Sequence, residues 1–156
     1  MSTTSGEIIA IIPAYNEARF IGDVIKAAQQ HIPVVVIDDG SSDGTGAAAA
    51  MAGAKVVAHV QNQGKGKALL TGFDYAVGRQ VDAAITLDAD GQHDPHEIPL
   101  FIEAFRAGQG DIIIGQRQYS QMPAKSEIGN RVGSFLLRLA MGRPLPDNQS
   151  GYRLIS

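Results

Sequence analysis

The sequence predicts an α/β fold in which a mostly parallel sheet carries helices on both faces. Short apolar segments alternate with helical segments along much of the 156-residue chain. Several of these segments are almost continuously apolar and then abruptly polar, which is typical of parallel strands buried on both faces. Strands that alternate with helices in this order form one sheet with crossover helices packed against it. The length suits one domain with a sizeable core.

This alternation places the predicted elements before residue 115. The predicted strands cover residues 8–12, 34–37, 55–58, 83–87 and 111–114. The predicted helices cover residues 18–30, 45–52, 65–78 and 95–107. In the last of these, Asp94 is the predicted N-cap, and Pro95 and Glu97 complete a capping box. A further amphipathic helix is predicted over residues 127–141, followed by an extended linker over residues 142–146.

Charge is distributed unevenly along the chain. Residues 1–114 contain 7 Lys and Arg against 14 Asp and Glu, a net charge of −7, whereas residues 115–156 contain 6 basic and 2 acidic residues, a net charge of +4. An acidic body suits a metal site, and a basic end suits an anionic ligand such as a phosphate or a lipid headgroup. Nucleic acid is disfavoured as a partner, because aromatic residues are few and the basic residues form no long run.

The sequence contains no cysteine, which excludes disulfides and thiolate metal sites. Its first residues carry no signal-peptide pattern, and no apolar run approaches the length of a membrane span. We therefore expect a cytoplasmic protein, and peripheral contact with the inner face of the membrane stays open. A homo-oligomer stays open as well.

Polar residues follow the predicted strands at the points where the strands end. The segments concerned are residues 13–17, 38–43, 88–92 and 115–117. In a parallel α/β sheet, ligands bind outside the carboxyl ends of the strands. We therefore expect these four segments to converge on one edge of the sheet.

Asp88, Asp90 and Gln92 present two carboxylates and an amide oxygen at alternate positions. Such hard oxygen ligands suit Mg²⁺ or Mn²⁺, because Mg²⁺ usually takes one or two carboxylates and shares its other positions with phosphate and water. The alternative is a solvated acidic turn before a helix. A second acidic strand end, at Asp38 and Asp39, favours the metal site.

Asp38 and Asp39 are predicted to accept hydrogen bonds from a nucleotide base and its ribose. Two adjacent acids at a buried strand end are costly without a partner. A calcium loop is excluded, because Ala50 stands where a bidentate Glu would be needed. Ser42 or Asp43 is predicted to cap the helix that follows.

The lysines and histidines of the first part of the chain remain ambiguous. Residues 62–67 lack P-loop spacing, but N–H groups at the start of the next helix can meet a diphosphate. Lys65 and Lys67 either belong to such a site or are solvated. His93 follows the predicted metal residues and is a further candidate ligand, but we interpret it as a surface histidine. His31 and His59 have no acidic or serine partner nearby in the sequence.

Five motifs occur in order along the chain. They are residues 11–17 (Ile-Ile-Pro-Ala-Tyr-Asn-Glu), 36–45 (Val-Ile-Asp-Asp-Gly-Ser-Ser-Asp-Gly-Thr), 62–66 (Asn-Gln-Gly-Lys-Gly), 88–92 (Asp-Ala-Asp-Gly-Gln) and 147–153 (Asp-Asn-Gln-Ser-Gly-Tyr-Arg). Together they resemble the motifs of family 2 glycosyltransferases with the GT-A fold. The branch they resemble most is that of the dolichyl- and polyprenyl-phosphate mannosyl- and glucosyltransferases. The resemblance covers nearly the whole chain.

The resemblance implies inverting transfer of a hexose from a UDP- or GDP-linked sugar to a polyprenyl or dolichyl phosphate, with Mg²⁺ or Mn²⁺ as cofactor. The nucleotide site would comprise Pro13, Tyr15, Glu17, Asp38, Asp39, Lys65, Asp88 and Ala89. The metal would be held by Asp88, Asp90 and Gln92. The acceptor phosphate would be met by Arg117, Arg131 and Ser134. The catalytic residues would be Asp90, Asp147 and Arg117.

The resemblance also sets expectations for the extent of the chain. We expect one catalytic domain over residues 1–156, with residues 1–114 as the nucleotide-sugar half and residues 115–156 as the start of the acceptor half. Catalytic domains of the family usually continue well past the last motif, whereas this chain ends three residues after Arg153. We therefore expect its C-terminal part to be short.

Three other functions are alternatives to this one. The first is transfer to the hydroxyl of a polysaccharide or glycan, with Asp147 taking its proton. The second is a nucleotide-sugar-binding domain without turnover. The third, a nucleotidyltransferase, is disfavoured because residues 13–17 occupy the place of its glycine-rich loop.

Overall fold

The computed structural model describes residues 6–115 and 151–156 of the chain. The strands are β1 (Ile8–Ala14), β2 (Val34–Asp38), β3 (Lys55–Ala58), β4 (Ala83–Thr86), β5 (Ile112–Ile114) and β6 (Arg153–Ile155). The helices are α1 (Ile21–Gln29), α2 (Thr45–Met51), α3 (Lys65–Arg79) and α4 (Ile98–Arg106), the last preceded by a 3₁₀ turn at Pro95–Glu97. The helix predicted over residues 127–141 and the linker over residues 142–146 lie outside the described residues.

The six strands form one mostly parallel sheet in the order β3-β2-β1-β4-β6-β5. Strand β1 lies parallel to β2 and to β4, and β2 lies parallel to β3. The predicted parallel sheet is therefore confirmed. Strand β6 was not predicted, and it pairs with β4 in the antiparallel direction, with Thr86 opposite Arg153.

Both faces of the sheet are covered by helices, as predicted. Alternation along the buried strand β1 sends Ile8 and Ile12 into a core shared with α1, α2 and α4, and Ile9 and Ile11 into a core shared with α3. Helix α3 packs very closely, because a Cβ atom at Gly72 would overlap Ile11 Cγ2. Close packing on both faces fixes where the strand ends lie.

The helix start after Asp94 confirms the predicted N-cap and the place of Pro95, and the part of Glu97 in a capping box stays a prediction. The Asp94 carboxylate accepts a hydrogen bond from the His96 N–H, and Pro95 takes the first helical position. Its first turn is a 3₁₀ turn and the α-helix starts at Ile98. Within residues 6–115 and 151–156, no helix is long and apolar enough to cross a membrane.

Candidate functional site

A cavity of about 290 Å³ opens at the carboxyl ends of β1, β2 and β4. Its lining comes from segments far apart in the sequence, as expected for strand ends meeting at one edge of a parallel sheet. The lining residues are Pro13, Ala14, Tyr15, Glu17, Asp39, Asn62, Lys65, Ala68, Asp88, Ala89 and Asp90. Eight of them were predicted site residues, whereas Ala14, Asn62 and Ala68 were not. The geometry therefore brings most of the predicted nucleotide residues together.

The loops after β1 and β2 are tied to each other by side chains. Asn16 Oδ1 accepts from the Ser42 N–H and Asn16 N–H donates to Ser41 Oγ, both at 3.0 Å. The buried Thr45 Oγ1 accepts from the Glu17 N–H at 2.8 Å. Thus much of the polar sequence after β2 positions the β1 loop, a role that the sequence did not reveal.

Asp43 also connects the loops after β1 and β2 by hydrogen bonds. Its carboxylate accepts from the N–H groups of Ala18 and Thr45 and from the Thr45 hydroxyl. These bonds, the Thr45 hydroxyl foremost, lower the pKa of Asp43 below its ordinary value. The N-cap of α2 is Gly44, which has no side chain to donate or accept, so Asp43 satisfies the start of this helix from one position earlier.

Asp39 is buried, with 2% of its surface exposed. Its carboxylate accepts from His59 Nδ1 at 2.6 Å, from Gln63 N–H at 2.9 Å and from Gly64 N–H at 2.8 Å. Burial alone would raise the pKa of Asp39, but these hydrogen bonds outweigh burial and lower it. Asp39 is therefore held as a carboxylate. His59 has an acidic partner after all, one that lies twenty residues away in sequence.

Asp38 was predicted to bind the nucleotide, but it does not line the cavity. It is buried at the end of β2, and its Oδ1 accepts from the Ser41 N–H at 3.1 Å. The carboxylate lies against α2, because a Cβ atom at Gly46 would be 2.5 Å from Asp38 Oδ2. The described contacts of Asp38 thus stabilise the turn after β2, and its nucleotide role stays a prediction.

At the end of β4, Asp88 has contacts on two sides. Its Oδ1 lies 2.5 Å from Lys65 Nζ, and its N–H donates to His93 Nδ1 at 3.0 Å. His93 is 5% exposed and stacks on Tyr152 with ring centroids 5.1 Å apart. The interpretation of His93 as a surface histidine was therefore wrong. It accepts a buried hydrogen bond beneath the loop that carries Asp88 and Asp90.

The cavity wall carries excess negative charge. Partial burial, followed by the carboxylates of Asp90, Asp43 and Asp88, raises the pKa of Glu17 above its ordinary value of 4.5. A pKa raised by neighbouring carboxylates indicates a place where a cation is favourable. Tyr15, with 48% of its surface exposed, adds an aromatic face to the same cavity.

The predicted metal ligands fit a divalent cation that completes its coordination with ligand oxygens. Asp88 and Asp90 line the same cavity, and the exposed Gln92 donates its N–H to Asp90 Oδ1 at 2.9 Å. In the described part of the chain, no three His, Cys, Asp or Glu side chains are grouped as a metal site. Two carboxylates plus phosphate and water is an arrangement that suits Mg²⁺. The donor set fits, and the metal itself stays a prediction.

Four of the predicted acceptor and catalytic residues belong to the last part of the chain. Arg117, Arg131, Ser134 and Asp147 lie outside the described residues, as does most of the last motif. Of that motif, Tyr152 is buried against His93 and Phe101 and donates its hydroxyl to the Asp94 carbonyl oxygen at 3.0 Å. The end of the motif therefore contacts the elements that follow Asp88 and Asp90.

The chain belongs to glycosyl transferase family 2, whose family model matches residues 9–156. Three named relatives are similar over most of it. They are the UDP-N-acetylglucosamine–dolichyl-phosphate N-acetylglucosaminyltransferase of Methanococcus voltae (34% identity over 96% of the chain), the undecaprenyl-phosphate mannosyltransferase of Micrococcus luteus (31% over 94%) and the polyprenol monophosphomannose synthase of Mycolicibacterium smegmatis (34% over 93%). The chain spans 69%, 65% and 60% of the lengths of these three relatives.

Solved structures resemble the fold closely. Glucosyl-3-phosphoglycerate synthase from Mycobacterium tuberculosis, crystallised with phosphoglyceric acid, has a TM-score of 0.79 and 24% identity, covering 97% of this chain and 57% of that one. The same synthase, crystallised with Mn²⁺, UDP-glucose and phosphoglyceric acid, has a TM-score of 0.77 with the same identity and coverage. Together with the strand order, these neighbours identify the fold as GT-A.

Proposed function

We propose that the protein binds a UDP- or GDP-linked hexose in the cavity at the sheet edge and transfers the hexose to a polyprenyl phosphate, with inversion at the sugar carbon. The observation that carries the proposal is the convergence of eight predicted residues on one cavity. Relatives named for transfer to dolichyl, undecaprenyl or polyprenol phosphates support the acceptor class. In this proposal residues 1–114 hold the donor, and residues 115–156 begin the acceptor half.

The cavity has features that suit each part of such a donor. Its volume of about 290 Å³ is near the lower end of the range for small-molecule sites, roughly 300–1,000 Å³. The exposed ring of Tyr15 offers a face on which a base can stack. Lys65 and the N–H groups at the start of α3 suit a diphosphate, because the N-terminal end of a helix is positive.

A divalent metal would be held by Asp88 and Asp90, with Gln92 as a further oxygen ligand. When bound, such a metal neutralises charge on a departing diphosphate. The solved neighbours with Mn²⁺ or Mg²⁺ and UDP support this expectation. Glu17, whose pKa is raised by partial burial and then by neighbouring carboxylates that include Asp90 and Asp88, would gain from the added positive charge.

The proposed reaction is a single displacement at the sugar. An oxygen of the acceptor phosphate forms a bond to the anomeric carbon, the bond from that carbon to the diphosphate breaks, and the nucleoside diphosphate leaves with the electron pair. A phosphate acceptor is already anionic at neutral pH, so no residue has to remove a proton. Arg117 and Arg131, with Ser134, would hold it by charge-assisted hydrogen bonds. With a hydroxyl acceptor, Asp147 would have to act as base.

The proposal is tested first by binding and then by transfer. Titrating UDP-glucose, UDP-N-acetylglucosamine and GDP-mannose with Mn²⁺ or with a chelator should give one preferred donor whose binding tightens with metal. Incubation of that donor with undecaprenyl phosphate should give the glycosylated lipid, whereas undecaprenol lacking the phosphate should give none. Failure to bind any nucleotide sugar would contradict the proposal. Binding without transfer to either lipid would contradict the polyprenyl-phosphate acceptor and leave two alternatives, transfer to a glycan hydroxyl or a donor-binding domain without turnover.

A further inference from the structure

The segment from His59 to Gly64 is hydrogen-bonded at its start and at its end, and its middle lies close to the backbone at Gly40. The His59 N–H donates to the Asp38 carbonyl oxygen at 2.8 Å, and the N–H groups of Gln63 and Gly64 donate to the Asp39 carboxylate. Gly40, at φ +72°, lets the backbones approach, because a Cβ atom there would lie 2.5 Å from the Gln61 carbonyl carbon. We call residues 59–64 the β3–α3 loop.

His59 connects this loop to two other elements. Its Nδ1 contacts Asp39 Oδ1 at 2.6 Å, and its Nε2 contacts Thr71 Oγ1 of α3 at 3.0 Å. Nδ1 carries the hydrogen of the first bond, because a carboxylate can only accept. The His59 side chain is 8% exposed, so it is shielded from the cavity and from solvent. Both ring nitrogens are therefore used inside the fold.

The β3–α3 loop contributes to the cavity through the residues at its end. Asn62 lies within it and Lys65 follows it directly, and both line the cavity. The side chains of Gln61, Asn62 and Gln63 are exposed, so the core does not hold the loop in place. The end of the loop, which leads into Lys65, is held instead by the Asp39 carboxylate, and Asp39 is held in turn by His59.

We propose that His59 is a positioning residue of the donor site, which acts through Asp39 to fix the β3–α3 loop and with it Asn62 and Lys65. This inference rests on the proposed function for its ligand. Three of the roughly four lone-pair positions on the Asp39 carboxylate are already occupied. In this proposal Asp39 contributes to donor binding through the loop as well as through its own place in the cavity lining, and His59 shares the contribution made through the loop.

The experiment compares two substitutions at His59 with the same two at His31. His59→Leu removes both ring hydrogen bonds, while His59→Asn keeps an N–H donor near the position of Nδ1, facing Asp39. His31 lies outside the cavity lining, and its Nε2 is buried with no hydrogen-bond partner among the described residues, so His31→Leu and His31→Asn control for loss of a histidine. UDP and GDP binding without metal is measured for each, together with the folded fraction and the amide exchange of Gln63 and Gly64.

His59→Leu should bind nucleoside diphosphates about tenfold more weakly than wild type, or weaker still, because it loses the hydrogen bond to the charged Asp39 carboxylate. His59→Asn should recover most of this loss, and the His31 variants should bind like wild type. Gln63 and Gly64 amides should exchange faster in His59→Leu while the protein stays folded. Because the two residues act in series, Asp39→Ala combined with His59→Leu should bind about as weakly as Asp39→Ala alone.

Several results would overturn the inference. They are wild-type affinity in folded His59→Leu, no recovery in His59→Asn, or losses from Asp39→Ala and His59→Leu that simply add. Failure of the proposed function would be recognised separately, because the wild-type protein would then bind neither UDP nor GDP, nor any nucleotide sugar with metal. In that case the donor role of His59 would fall with it, whatever the amide exchange showed.

Discussion

Lys65 Nζ lies 2.5 Å from Asp88 Oδ1, which joins the start of α3 to the end of β4. The first turn of α3 contains no acidic residue, and its N-cap Gly64 makes no side-chain capping bond. Lysines are unfavourable there, because the N-terminal end of a helix is already positive. This arrangement suits a bound anion, and it puts an ammonium group on a carboxylate that was predicted to hold a metal.

The contact predicts competition between Lys65 and a divalent cation for Asp88. Lys65→Met should raise the affinity for Mn²⁺ alone, by about two- to fivefold, the range expected for an exposed ion pair. The same variant should bind UDP or GDP more weakly, because a cation that faces the diphosphate is lost. Free Mn²⁺ can be followed by electron paramagnetic resonance, and nucleotide binding by calorimetry.

Lys67→Met is the matched control for this experiment. Lys67 lies in the same turn of α3, is exposed and does not line the cavity. Lys67→Met should therefore change the Mn²⁺ affinity less than Lys65→Met does. Weaker Mn²⁺ binding by Lys65→Met would show that Lys65 supports the metal site rather than competing with it.

Asp90 should contribute to nucleotide-sugar binding by holding the metal. Asp90→Asn replaces a charged oxygen ligand with a neutral one, so it should weaken the gain in nucleotide-sugar affinity that Mn²⁺ provides. Asp82→Asn, placed before β4 at the opposite end of that strand, should leave this gain unchanged. Titration of UDP-glucose and GDP-mannose with and without Mn²⁺ measures this gain in affinity. Full retention of the metal-dependent gain in Asp90→Asn would remove Asp90 from the metal site.

The strands and the cavity were largely predictable, because their signals are local. Buried parallel strands are apolar and end abruptly, so the segments after Ala14, Asp38 and Thr86 were assigned to the right edge. Strand β6 was missed because Arg153–Ile155 is short and is not continuously apolar, unlike the equally short β5 (Ile112–Ile114). Strand β6 forms through pairing with β4, about seventy residues earlier in the sequence.

The hydrogen-bond partners were not predictable, because they lie far apart in sequence. His59 meets Asp39 from twenty residues away, and Asn16 meets Ser42 from twenty-six residues away. No local pattern distinguishes such a residue from a solvated polar side chain. The burial of His93 likewise depends on Tyr152, which reaches it from the last motif.

Two glycines of α3 should respond to alanine in opposite directions. At Gly72 a Cβ atom would overlap the buried Ile11, so Gly72→Ala should lower the free energy of unfolding by about 1–3 kcal/mol, as overpacking does. Gly78 has no atom within 4 Å of such a Cβ. Gly78→Ala should therefore raise that free energy by up to about 1 kcal/mol, through helix propensity. Urea unfolding measures both, and changes of the same sign would contradict the packing described for α3.

His93 should support the loop at the end of β4. His93→Phe keeps a ring against Tyr152 but removes the acceptor of the Asp88 N–H, so the free energy of unfolding should fall by about 1–3 kcal/mol. His93→Asn offers a side-chain oxygen near the position of Nδ1, so it should recover the hydrogen bond but lose the stacked ring. His96→Phe, exposed in the 3₁₀ turn, controls for the added ring. If His93→Phe were as stable as wild type, the buried hydrogen bond would contribute little.

Glu17 links the stability of the fold to the charge of the cavity. Its folded-state pKa is raised, so between the unfolded and folded pKa values the folded protein binds more protons. The free energy of unfolding therefore falls as pH rises through this window, and the loss persists at neutral pH. Glu17→Gln removes this loss of stability, because the glutamine side chain does not ionise. The variant should be more stable than wild type at about pH 7, with a smaller difference near pH 4, where Glu17 is largely protonated in both states.

The metal provides the second half of this test. A cation on Asp88 and Asp90 relieves the same repulsion, so saturating Mn²⁺ should stabilise wild type more than Glu17→Gln. Urea unfolding at both pH values, with and without Mn²⁺, gives the difference in the free energy of unfolding between Glu17→Gln and wild type under each of the four conditions. Glu103→Gln, exposed on α4, controls for loss of a carboxylate elsewhere. Lower stability of Glu17→Gln at neutral pH would contradict the repulsion, because it would mean that the Glu17 carboxylate makes favourable contacts that outweigh its acidic neighbours.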